Sequence, residues 1–156
     1  MKKMFTFLIA LAIIFSCAQC YAAATKPVYD LNEKIFAEDF NAMAKAMTID
    51  VIDANIKKLP DGTHELSGKN LKINLTLNQS GNIEKICLSS TNKDRLAEGL
   101  IVTLATVGLS EDEFDKIFDN AKENKMSVWC KFSKRKIIVE RFVEGNNIGV
   151  LIEAEA

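Results

Sequence analysis

A single histidine and two prolines in 156 residues leave few of the side chains on which catalytic and metal-binding motifs are built. Serine and cysteine nucleophiles need a base within hydrogen-bond reach, and His64 is the one imidazole present. It follows a turn glycine, Gly62, where an imidazole on an edge strand is the ordinary outcome. Asp61 and Glu65 flank it without forming a metal-ligand spacing. The chain also lacks a G-x-S-x-G elbow and both glycine-rich phosphate loops. Glu111, Asp112 and Glu113 crowd the start of a helix, where carboxylates complement the helix dipole, and the EF-hand spacing is missing. These patterns single out no catalytic residue, cofactor or metal.

Clustered positive charge is equally absent. The chain carries 20 basic and 21 acidic residues, well mixed. That balance argues against nucleic acid or an anionic membrane as the main partner, since both reward basic patches. Lys131, Lys134, Arg135 and Lys136 lie around an expected turn and read as a solvated run.

No apolar run is long enough to span a bilayer, which takes about 20 residues. The longest, Met4 to Phe15, follows Lys2 and Lys3 and precedes Tyr21-Ala22-Ala23-Ala24. A charged start, a short apolar core and small residues at Ala22 and Ala24 together make a secretory signal. Cleavage after Ala24 gives a leader, 1–24, and a single domain, 25–156, exported to a periplasm or beyond the cell. Losing Lys2 and Lys3 leaves 18 basic residues against 21 acidic ones, a net charge of about −3. The alternative is a lipid anchor: Ile14-Phe15-Ser16-Cys17 resembles a bacterial lipobox, with Phe15 bulkier than that motif prefers. Cys17 and Cys20 form a C-x-x-C pair that would depart with the leader.

The domain keeps Cys87 and Cys130. An oxidising destination permits a bridge, and closing so long a loop stabilises a fold by about 4 kcal/mol in the chain-entropy picture. Strand phase leaves the bridge open. Cys130 alternates in step with Val128 and Phe132, but Cys87 is out of step with Ile86 and Leu88.

What the domain does contain is clear periodicity. Phe36, Phe40, Met43 and Met47 share one face of a helix expected over about 31–47, capped by Asp30. Leu71, Ile73, Leu75 and Leu77 alternate with polar residues, which marks a strand wet on one side. Ser80-Gly81-Asn82 returns it into a partner strand from Ile83. A second helix begins near Thr91-Asn92-Lys93-Asp94 and buries Leu96, Leu100, Leu104 and Val107. Ser110 and Glu113 form a capping box for a third, with Leu109 and Phe114 placed as a hydrophobic staple. The short link between these two helices predicts an αα-hairpin. Strands follow over about 126–132, 136–143 and 148–152. No internal repeat is visible. The layout is α+β: one antiparallel sheet of about five to six strands, with the N-terminal helix and the central αα-hairpin on one face.

This order resembles that of a group of small exported or lipidated bacterial proteins of uncharacterised role. The resemblance rests on Phe36 to Asn41, Gly81 to Leu88, Leu109-Ser110-Glu111-Asp112-Glu113-Phe114 and Asn147-Ile148-Gly149. It implies export and this layout, and it carries no activity.

Two sequons, Asn74-Leu75-Thr76 and Asn78-Gln79-Ser80, read as solvent-face strand positions. Trp129 points away from Val128 and Cys130; packing under a neighbouring loop is the commoner role for such a residue, and as an exposed anchor it is the first candidate contact for a partner. The expected function is a non-enzymatic, exported domain that binds a protein or small ligand. The alternatives are a hydrolase using scattered carboxylates and an inhibitor of another exported enzyme.

Overall fold

The computed structural model describes residues 28–49, 56–120, 123–130 and 134–155. Ala22, Ala24, Cys17 and Cys20, and with them the cleavage and lipidation readings, lie outside the described residues, as do Lys131 and Phe132.

The first helix, α1, spans Glu33–Ala46. Its cap is Asn32, whose side chain accepts from the backbone N–H groups of Lys34 and Ile35 at 3.0 and 3.2 Å. Asp30, the expected cap, instead forms a two-oxygen contact with Arg135 Nη2 at 3.1 and 3.0 Å. The apolar stripe behaves as expected: Phe36, Phe40 and Met43 are buried.

Among the described residues seven strands then form one antiparallel sheet. They are β1 Lys57–Lys58, β2 His64–Gly68, β3 Leu71–Leu77, β4 Ile83–Ser90, β5 Lys125–Cys130, β6 Arg135–Glu144 and β7 Asn147–Ala154. The count exceeds the expected five to six because β1, a two-residue piece, pairs with the start of β2. Its exposed Lys57-Lys58 pair has no alternation from which to read it. Between β4 and β5 come α2, Lys93–Thr106, and α3, Glu111–Asp119.

Spatial order across the sheet is β1-β2-β3-β4-β7-β6-β5. Each half is therefore helix first, then a meander that runs from the edge inward. The last strands of the two meanders, β4 and β7, pair at the centre, Cys87 opposite Leu151. No repeat is visible in the residues, yet the topology is repeated. Corresponding turns even share backbone shape. Asn70 and Lys134 both adopt positive φ before β3 and β6, and Gly81 and Gly145 do so before β4 and β7.

The three described helices bury their apolar sides in one cluster against one face of the sheet. The α2 helix lies across the centre, over β4, β7 and β3. Gly99 permits its close approach: a Cβ there would lie 2.7 Å from Leu71 Cδ2. The short link does join α2 to α3, but the helix packed along α2 is α1, while α3 rests on β5. The αα-hairpin expected from the sequence is thus opened by the sheet's width. Packed on the helix-side face of β5, α3 leaves the outer edge of that strand without a neighbouring strand among the described residues.

No described helix is long and apolar enough to cross a membrane.

Candidate binding face

Among the described residues helices cover only one side of the sheet, so the alternate residues of the strands form a second face that no described helix covers. Strand register defines it. Cys87 on β4 stands opposite Leu151 on β7. Ile138 on β6 is one diagonal step from Leu151, since it pairs with Glu153 while Leu151 pairs with Glu140. Trp129 is a further diagonal step out on β5, opposite Lys136. Diagonal neighbours on one face of a sheet are within reach of large side chains. The result is an apolar diagonal, Trp129–Ile138–Leu151–Cys87. Phe142 lies beside it, its ring over Gly149 in the space a Cβ would fill.

Charged pairs border this diagonal. Lys85 and Glu153 are 3.1 Å apart, Lys136 and Glu155 3.6 Å, and Lys125 and Glu140 3.1 Å. Each joins neighbouring strands, so the rim charges are largely matched and the face carries no strong field of one sign. Ser127 Oγ donates to Glu155 at 3.0 Å, which holds that carboxylate beside Trp129. Trp129 is 46% exposed, as its phase predicted, on a face where Ile138 and Leu151 are only half-buried. An aromatic anchor flanked by apolar neighbours and a polar rim has the composition of an interface centre.

The two thiols lie on opposite faces. Cys87 is half-buried on the open face, and burial pushes its thiol pKa up, with Glu144 adding to the effect. Cys130 is fully buried on the helix side, its S–H donating to Val107 C=O at 3.0 Å. Both are free. The bridge left open by the sequence is not formed, because the sheet stands between its two halves.

His64 begins β2, and its partner is neither Asp61 nor Glu65. Nδ1 lies 3.5 Å from Glu33 Oε1, a residue from the first turn of α1. Only tertiary structure could supply that neighbour. Asp61 instead closes its own turn, accepting from Thr63 N–H and Oγ1 at 2.9 and 2.7 Å, and the Thr63 N–H bond holds its carboxyl below the usual range. Among the described residues no three acidic, histidine or cysteine side chains cluster as a metal would require. Of the sequon asparagines, Asn74 is on the open face with Oδ1 buried and unpartnered. Asn78 forms the turn, not a strand, accepting from Ser80 and Asn82 N–H at 2.9 and 3.0 Å.

The capping-box residues divide their work differently from the sequence pattern. Ser110 occupies the cap position of α3 with extended backbone, but its hydroxyl makes no cap bond. Glu113 reaches across to β5, where Oε2 accepts from Trp129 N–H at 2.9 Å, and its other oxygen pairs with Lys116. Lys116 holds the Glu113 carboxyl below the usual range against an opposing effect of burial, with a smaller lowering contribution from Trp129 N–H.

Comparison of this chain with protein-family models, with curated proteins and with solved structures finds no match.

Proposed function

We propose that this is a non-enzymatic binding domain, exported through the leader at 1–24, that holds a partner protein against the open face of its sheet. The observation that carries the reading is the diagonal of Trp129, Ile138, Leu151 and Cys87, with matched ion pairs on its border. Apolar side chains presented together on a rigid surface, with polar groups arranged around them, are the usual basis of a protein contact. Balanced rim charge favours a partner region of low net charge. Trp129 is the expected anchor.

The test is photo-crosslinking in the native host from a probe at Ile138, followed by binding measurements on the captured protein. Trp129→Ala should weaken that binding by about 1–3 kcal/mol, roughly fivefold to 150-fold, while leaving the unfolding midpoint nearly unchanged. Turnover of a peptide or cell-wall substrate, abolished by one Asp or Glu substitution, would replace this reading with a hydrolase.

A further inference from the structure

On its outer side β5 has no neighbouring strand among the described residues, so half of its backbone groups face away from the sheet. The ladder identifies them. Asn124 C=O accepts from Arg141 N–H at 2.6 Å. Met126, Val128 and Cys130 follow in the same phase, so even positions address β6 and odd positions point outward.

Two of the outward N–H groups are already taken. Glu113 accepts from Trp129 N–H at one end. At the other, Glu123 N–H donates to Asn120 C=O at 2.9 Å. Both acceptors belong to α3 or its C-terminal cap. Between them Lys125 and Ser127 remain, each presenting one N–H and one C=O on an edge that can template another strand.

We propose that this short window pairs antiparallel with the same window of a second copy, Lys125 opposite Ser127 and Ser127 opposite Lys125. The contact is isologous, the commonest form for a two-fold dimer. In this register every open donor meets an open acceptor. A slide of two residues in either direction would bring in Trp129 or Glu123, whose N–H groups are held. Lys125 faces a serine rather than another lysine, and Glu140 keeps its charge matched at 3.1 Å. On the helix side the half-buried Met126 meets Met126 of the other copy across the axis. A foreign strand would find only two residues to pair with, whereas a second copy brings the same gap and closes both. The contact is on the edge, and it stands whether or not the open face holds a partner.

Sedimentation equilibrium of the purified protein from about 10 µM to about 1 mM, a range suited to so small an interface, should pass from one chain mass toward two. Ser127→Pro removes an outward N–H and none that addresses β6, as edge prolines do. It should hold the mass at one chain with the far-UV spectrum unchanged. The Met126 pair is of the non-hydrogen-bonded kind, with Cα atoms about 4.5 Å apart, within disulfide reach. In a Cys87→Ser background, Met126→Cys should therefore oxidise to a reducible dimer at least about tenfold faster than Val143→Cys, which is exposed on the β6 tip. A monomer at the highest concentration, or equal oxidation rates at the two positions, overturns the proposal. So does a dimer that survives Ser127→Pro. If that variant does not fold, the oxidation comparison decides.

Discussion

At the residue scale, the cap positions separate what a motif offers from what a fold uses. Asn32 and Asn92 each accept from two backbone N–H groups of the following turn, whereas the Ser110 hydroxyl accepts none. Asn92→Ala should therefore cost about 1 kcal/mol, and Ser110→Ala only a few tenths, in urea titrations. Glu113 leaves its own helix end and accepts from Trp129 N–H, a donor on the β5 edge that meets no strand among the described residues. The pairing of Glu113 with Lys116, with a smaller share from the Trp129 bond, makes stability depend on acid. The folded chain holds Glu113 below its ordinary value, so as pH falls the unfolded chain takes up the proton first. The stabilisation is complete above about pH 4.3, the ordinary glutamate value, and fades below it as pH falls through the folded value. Glu113→Gln should flatten the stability-versus-pH curve in that acidic window and leave it unchanged in shape near neutrality. Trp129's exposure was legible because strand phase alone decides it. Glu113's role was not, because its partner is 16 residues away on another element.

At the element scale, the strands with the cleanest alternation were read within a residue or two. Leu71, Ile73 and Leu75 face the helices while Lys72 faces water. The buried stripes of α1 and α2 were equally plain. What escaped was anything set by a neighbour: the two-residue β1, held only by its pairing with β2, and the splaying of α2 from α3. The β6–β7 hairpin shows the same dependence. Gly149 is buried beneath the Phe142 ring directly opposite it. Gly149→Ala should destabilise the domain by about 1–3 kcal/mol through overpacking, and Phe142→Leu in the same chain should recover part of that loss. A double-mutant cycle would show the coupling, since residues in contact do not add. The open-face diagonal was hidden for a related reason. Its members come from four strands, and only the register brings Cys87, Leu151, Ile138 and Trp129 into line.

At the scale of the whole molecule, one cluster of buried residues runs from Val28 to Ile152, so the two halves of the sheet share a core. Unfolding should be a single cooperative event. The one tryptophan reports from β5 and far-UV dichroism reports from everywhere, and their denaturant transitions should coincide. Ile152 is fully buried at the centre of the sheet, beside Ile86. Ile152→Ala should cost about 2–5 kcal/mol and shift both transitions together; two separated transitions would mean that the halves unfold independently. The order of strands has a further meaning for a chain that emerges N-terminus first. Synthesis supplies β4 and β6 first, and the strand that joins them, β7, follows both. Until residues 147–154 appear, the two meanders cannot close into one sheet, and the core stays divided. Such a chain remains threadable until β7 is made, and locks only when that strand slots into the middle.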